Sequence, residues 1–298
     1  MSVQTELLAW AEQWRRDLPW RRTRDPWAVL VSELMLQQTQ VSRVAPRWAE
    51  FLERFPTPGA CAEASVGDVV RAWAGLGYNR RAVSLHRTAV IVVERHGGRL
   101  PADLPALLAL PGVGPYVARA VLAFAFEADV GVLDTNAARV MARAVAGRRI
   151  ATRAEAQALA DSLVPSGRGW AWNQAVLDLG ALVCTRRHPD CGRCPLARRA
   201  PRHGGSCRWD ATGRRAPDPA DGSVGVGGPQ AAFAGSDRQG RGRLVDALRR
   251  APVPVADLAA AAGWSATDGG TSRAQRIADS LVADGLAVVD SDGHLRLA

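Results

Sequence analysis

Leu110-Pro111-Gly112-Val113-Gly114-Pro115-Tyr116 is the stretch on which the fold turns. An apolar run, Leu104 to Leu110, leads into it and a second, Tyr116 to Phe126, leads out, so the spacing predicts two helices joined by a glycine-rich hairpin. Pro115 falls at the first position of the second helix, where its missing N–H leaves nothing unsatisfied and its fixed φ is already helical. A turn of this kind points the backbone N–H groups of the second helix outward, which suits a phosphate. A plain turn between two helices reads the same way in isolation, so the surroundings have to decide.

Outward from the hairpin, apolar residues recur at helical spacing. Leu7, Leu8, Trp10, Ala11 and Trp14 form one face, Trp27, Leu30, Val31 and Leu34 another, and Val117, Ala120, Val121 and Phe124 a third. Regular strand alternation is nearly absent before residue 280, and the predicted fold class is all-α. At 298 residues the chain is long enough for one large or two unequal domains. No run of about 18 apolar residues occurs, so no membrane span is predicted. Glu6, Glu12 and Asp17 interrupt the N-terminal stretch, which therefore does not read as a signal peptide; a soluble cytoplasmic monomer, nucleoid-associated, is expected.

The net charge is +9, and all 38 basic residues are Arg, because the sequence has no Lys. Polyanions are the first partners to consider, and mechanisms that need a lysine amine are excluded. Nine Arg against Asp190 and Asp210 lie between Cys184 and Arg215, whereas Phe233 to Ala298 carries eight Arg and eight Asp. In this basic setting the hairpin resembles the helix-hairpin-helix that grips a DNA backbone without reading bases.

Two carboxylates stand out. Asp134, in Leu133-Asp134-Thr135-Asn136, sits where a helix N-cap belongs. Helix N–H groups facing it are expected to lower its pKa and keep it ionised, ready to stabilise a developing cation. Glu33 lies in Val31-Ser-Glu33-Leu-Met-Leu-Gln37-Gln38-Thr39-Gln40, a helix opened by Asp25 and Pro26, with no basic residue between Arg24 and Arg43. Desolvation among Val, Leu and Met favours its protonated form and suits it to donate a proton. One neutral and one ionised acid form the pairing that cleaves glycosidic bonds. Cys184, Cys191 and Cys194 fall within eleven residues, with Cys207 later, a metal-binding spacing that leaves zinc and iron-sulfur both open. Cys61 lies apart in an apolar helix and reads as core.

Together these residues resemble the helix-hairpin-helix DNA glycosylases of the endonuclease III superfamily, and within it the MutY-type adenine glycosylases. The likeness runs from about Leu18 to Trp209 and includes Gly75-Leu-Gly-Tyr78 and Leu85-His86. It implies two helical subdomains within residues 1–210, one of six helices (about 22–133) and one holding a 4Fe-4S cluster (1–21 and 134–210). It also implies excision of adenine opposite 8-oxoguanine (or guanine) in double-stranded DNA. Glu33 would be the general acid, Asp134 would stabilise the oxocarbenium-like sugar, and Asn136 would orient the acids. Tyr116 takes the position where strand-cutting relatives carry a Schiff-base Lys. Gln37 and Gln38 would wedge into the duplex. Thr39, Tyr78, Gly112, Val113, Gly114, Arg198 and Arg199 would complete the DNA surface, and Cys184, Cys191, Cys194 and Cys207 would hold the cluster.

The chain departs from the family pattern at three places. Cys207 follows Cys194 after twelve intervening residues rather than five, with His203 between them, which leaves three alternatives: Cys207 as fourth ligand through an enlarged loop, His203 in its place, or an incomplete cluster. Asn79 follows Tyr78 where many relatives have a second aromatic. Residues 211–235, rich in Gly, Pro, Ala and Asp, read as a flexible linker, and 236–298 as a winged-helix-like module with a Ser-Asp-Gly hairpin turn, unlike the Nudix-like domain that reads 8-oxoguanine in many relatives. Two rival readings stand beside this one: a G·T mismatch thymine glycosylase of the same superfamily, and a non-catalytic DNA-binding regulator.

Overall fold

The computed structural model describes residues 2–197, 205–214, 217–226, 232–265 and 269–298. Its helices, in chain order, are α1 (Val3–Trp14), α2 (Pro26–Leu36), α3 (Val41–Arg54), α4 (Pro58–Glu63), α5 (Val66–Ala72), α6 (Arg80–His96), α7 (Leu104–Leu108) and α8 (Pro115–Phe124). There follow α9 (Thr135–Val140), continued by a π-helical turn at Met141–Ala146, α10 (Arg153–Ser162), α11 (Gly169–Leu182), α12 (Arg208–Ala211), α13 (Asp237–Leu248), α14 (Leu258–Ala262) and α15 (Gly270–Ala283). Three short strands, β1 (Val253–Pro254), β2 (Ala287–Val289) and β3 (His294–Leu297), form one antiparallel sheet in the order β1-β3-β2. The all-α expectation holds for the body of the chain. β1 lies outside it, because two residues, one of them proline, leave no alternation to read.

Two compact units divide the chain: residues 1–29, 102–104 and 114–229, and residues 30–101, 105–113 and 230–298. This differs from the expected subdomain limits, since 22–29 and 114–133 go with the first unit and the C-terminal module goes with the second.

In the first unit α11 is the central helix, packed by α1 and α9. Its Asp178 is fully buried and accepts from Arg16 Nε (2.6 Å) and from both Nη atoms of Arg21 (2.7 and 2.9 Å). Burial pushes that carboxyl up, but the two guanidiniums outweigh it and hold it below the ordinary carboxylate range. Asn173, also on α11, accepts from Val132 N (2.8 Å) and donates to Val130 O and Gly169 O (2.8 Å each), fixing the loop that leads to Asp134.

The expected linker is not loose where it is described. Asp218 accepts from Arg143 Nε at 2.8 Å, Ser223 Oγ from Ile150 N at 3.0 Å, and Val224 N donates to Ile150 O at 3.0 Å. Residues 217–226 are therefore fastened to the first unit. Their composition lacks large apolar anchors, and the polar anchors that replace them lie about 75 residues upstream, where local sequence gives no sign of them.

In the second unit α13, α14, α15 and the sheet make the expected three-helix and hairpin module. It is seated on the helices before it. Gly67 N donates to Ala298 O (2.6 Å), Arg249 Nε to Val70 O (3.1 Å), Arg249 Nη2 to Asn79 Oδ1 (2.8 Å), and Arg80 pairs with Asp284 (3.1 Å). Asn79, where the resemblance leads one to look for an aromatic, is thus a buried docking point for α13. Cys61 is buried on α4 with its thiol pushed up to about 12 by desolvation, as a core cysteine should be.

Candidate active site and cysteine cluster

Within the second unit, α2 carries Glu33 among buried Leu30, Val31, Leu34 and Met35, and Glu33 itself is 4% exposed. The helix opens with Asp25 Oδ1 accepting from Trp27 N (3.1 Å) and Pro26 at its first position. Its C-terminal carbonyls need donors, and one buried side chain supplies them. Arg81 Nη1 donates to Leu34 O (2.7 Å), Met35 O (2.9 Å) and Gln37 O (2.6 Å). Its Nη2 reaches Thr39 Oγ1 (3.1 Å), Leu76 O (3.2 Å) and Gly77 O (2.9 Å). One guanidinium therefore ties the Gln37–Gln38 turn to the Gly75–Tyr78 turn. Burial lowers its pKa to about 10, which leaves it charged at neutral pH. Sequence reading misses Arg81, since an Arg after a glycine-rich turn has no periodic signature.

Gln38 (φ 57°) and Tyr78 (φ 47°) both adopt left-handed backbone, unusual for residues with a Cβ. Together with Gln37 they line a groove of about 730 Å³. Thr39 instead turns inward, its hydroxyl donating to Leu76 O at 3.1 Å. In the hairpin, Gly112 (φ 77°) packs so closely on α6 that a Cβ there would lie 2.7 Å from Ser84 Cβ. Thr88 Oγ1 holds Pro111 O at 2.9 Å. Val113 departs from its expected role: its side chain is buried and its N–H donates to Leu110 O (3.1 Å), so it shapes the turn and offers no donor outward. Gly112 is exposed and Gly114 half-buried.

Within the first unit Asp134 is the N-cap of α9. Its Oδ1 accepts from Ala137 N (2.7 Å) and its Oδ2 from Asn136 Nδ2 (2.8 Å). Asn136 Oδ1 accepts in turn from Arg139 Nη2 (2.8 Å), whose Nε donates to Cys184 O (2.6 Å). Gly180 lets α11 approach this turn, since a Cβ there would lie 2.6 Å from Asn136 Cβ. The expected pKa direction is reversed: burial raises Asp134 above the ordinary range despite the bonds from Ala137 and Asn136 and the charge of Arg139. Capping is visible in the local sequence; enclosure by α11 is not. Tyr116 is half-buried in the first turn of α8.

Cys184, Cys191, Cys194 and Cys207 line a single cavity of the same unit. Cys207 is brought in by its N–H donating to Leu196 O (2.8 Å), so the enlarged spacing still returns the fourth thiol to the other three. Desolvation pushes Cys194 up to about 12 and Cys207 to about 11, and Arg143 Nη1 lies 3.5 Å from Cys184 Sγ as a donor. Four clustered thiols with a cation against one of them fit a metal cluster held by four cysteines. Arg198, Arg199 and His203 lie outside the described residues.

Residues 31–166 match the HhH-GPD superfamily of base excision DNA repair proteins. An adenine DNA glycosylase of Mycolicibacterium smegmatis is 43% identical over 302 residues, spanning 100% of this chain and 97% of the relative. Another from Mycobacterium tuberculosis is 44% identical over 300 residues, 98% of this chain and 92% of its own length. Among solved structures, a thermostable thymine-DNA glycosylase superposes with a TM-score of 0.64 at 28% identity, covering 70% of this chain and 94% of that one.

Proposed function

The chain belongs to the adenine DNA glycosylase family of the HhH-GPD superfamily, and on that premise we propose that it hydrolyses the N-glycosidic bond of adenine mispaired with 8-oxoguanine, or with guanine, and leaves the DNA strand uncut. The observation that carries this reading is a single carboxyl, Glu33, buried in an apolar helix. Burial favours the protonated form of a carboxyl, which can then give its proton to adenine N7, without which adenine leaves poorly. After departure the same group accepts the proton of the attacking water. Asp134, fixed by Ala137 N and Asn136 Nδ2, stabilises the cationic sugar, and Asn136 is a positioning residue for it. Gln37, Gln38 and Tyr78, with Gly112 and Gly114 of the hairpin and Arg198 and Arg199, hold the duplex while the adenine is extruded. The protein acts as a monomer.

Cys184, Cys191, Cys194 and Cys207, which line one cavity, would hold a 4Fe-4S cluster, and that cluster would cross-link these four positions of the chain. Cys207→Ser is expected to lose iron, measured as metal content per chain, whereas His203→Ala keeps it. Full iron content in the Cys207 variant would remove Cys207 from the ligand set.

Base release and strand cleavage on labelled duplexes with A·8-oxoguanine, A·G and G·T test the reading. Adenine should be released from the first two, and the product strand should break only after heat or alkali. With no lysine in the chain and Tyr116 at the half-buried start of α8, no side chain can form an imine with the abasic sugar, so borohydride should trap no complex. Release of thymine but not adenine would overturn the substrate, and efficient trapping would overturn the monofunctional mechanism.

A further inference from the structure

The groove of about 730 Å³ beside Gln38 and Tyr78 has a second wall. Phe233, Arg238, Arg241 and Gly242, from the start of the C-terminal module, face it within the same compact unit. Three features of this groove suit it to a ligand. Tyr78 and Phe233 are large rings left 44% and 59% exposed. Both Gln38 and Tyr78 hold left-handed backbone, a strained conformation for residues with a Cβ, which persists only where surrounding structure imposes it and which clusters at functional sites. Among the described residues five arginines and no carboxylate line the groove; behind it Asp284 pairs with Arg80 and Arg241, which still leaves a surplus of positive charge there.

Phe233 is also held in place. Its carbonyl accepts from Ser236 N (3.2 Å) and Ser236 Oγ (2.6 Å), Ser236 caps α13, and Gly235 is tied to Gln239 Oε1 (2.8 Å) and to Arg273 Nη2 (2.8 Å). An exposed ring on a fixed turn gives stacking area at little entropic penalty. Arg238 lies about 6.0 Å from that ring, on the groove side of α13.

We infer that the groove is a binding subsite for an unstacked nucleotide of the substrate DNA, its base against Phe233 and Tyr78 and its flanking phosphates at Arg43 and Arg238. Exposed aromatics interleaved with arginines are the recognition chemistry of single-stranded nucleic acid, and the volume admits a nucleotide. The C-terminal module is thereby part of the DNA-binding body despite its zero net charge, because its own arginines and Asp284 are distributed unequally about the groove. This rests on the reading that the substrate is duplex DNA.

The test uses the full chain and a duplex in which a tetrahydrofuran abasic analogue lies opposite 8-oxoguanine, so that binding is read without chemistry. Phe233→Ala should weaken binding by about fivefold to a hundredfold, the range of one lost base–aromatic stack, and Phe233→Trp should restore it. Arg238→Ala should weaken binding and flatten its logarithmic salt dependence by about 0.9. A benzophenone side chain at position 233 should crosslink to DNA, and labelling each strand in turn identifies whether the nucleotide comes from the 8-oxoguanine strand or the abasic one. Both variants binding within twofold of wild type, with no crosslink to either strand, would overturn the inference. Failure of adenine release with these contacts intact would sink the proposed activity and leave the groove standing.

Discussion

Glu33→Gln is expected to bind duplex DNA nearly as well as the native chain and to lose single-turnover adenine excision by about 10²- to 10⁴-fold, the range a positioned general acid supplies. Gln is nearly isosteric, so α2 and its buried neighbours Leu30, Leu34 and Met35 keep their packing, and what disappears is the transferable proton. A carboxamide cannot protonate N7, and it cannot accept a proton from water in the second half of the reaction. The measurement is the single-turnover rate on an A·8-oxoguanine duplex at saturating enzyme. A variant retaining more than a tenth of the native rate would displace Glu33 from its role. Asp134→Asn should also lose excision, since a neutral amide cannot stabilise a cationic sugar, and native excision should fall on the acid side as Asp134 takes up a proton.

The same Asp134 bears on stability with the opposite sign from its capping role. Its folded pKa lies above the unfolded value, so the folded state binds the proton more tightly and ionisation works against folding. That penalty is absent below the ordinary carboxylate range, grows as pH rises from there to the folded pKa, and is complete above it. Asn keeps an acceptor for Ala137 N and carries no charge. Asp134→Asn therefore approaches or exceeds native stability at about pH 8 and loses ground relative to it toward acid pH. A group retained where its charge opposes folding is what a catalytic carboxylate looks like.

Periodicity and short motifs made much of this molecule readable. Pro115 and the glycines at 112 and 114 mark the hairpin, the buried stripe of α2 singles out Glu33, and Asp134 is an N-cap as its neighbours indicate. What escaped reading is carried by single polar contacts between residues distant in sequence. Arg249 reaches Asn79 across 170 positions and Arg143 reaches Asp218 across 75. Such bonds impose no period on the chain, so a stretch held by Asp218 and Ser223 reads as linker, and an Asn that docks a helix reads only as a missing aromatic. The sign of the Asp134 shift was lost for a related reason: capping is local and visible in sequence, whereas desolvation by α11 depends on the fold.

Arg81 is the largest of these unread contacts, and its replacement is expected to destabilise the chain more than any other change considered. Arg81→Met keeps the aliphatic stem but removes every donor and the guanidinium that lies over Trp73, leaving the carbonyls of Leu34, Met35, Gln37, Leu76 and Gly77 without the group that links them. Unsatisfied buried acceptors cost about 1–3 kcal/mol each, but relaxation lets water reach some of them, so a total of roughly 3–5 kcal/mol is expected. For a protein of this size that corresponds to a melting temperature lower by on the order of 10 °C. Arg81→Lys should recover little, because one ammonium has three donors and no planar fork with which to bridge two turns. The two turns carry Gln38 and Tyr78 in strained backbone, so a chain that still folds without Arg81 should let them relax and should bind duplex DNA at least tenfold more weakly. Thermal unfolding and duplex titration read the two effects separately. A loss below about 1 kcal/mol with unchanged affinity would mean that the turns hold themselves and that Arg81 merely fills space.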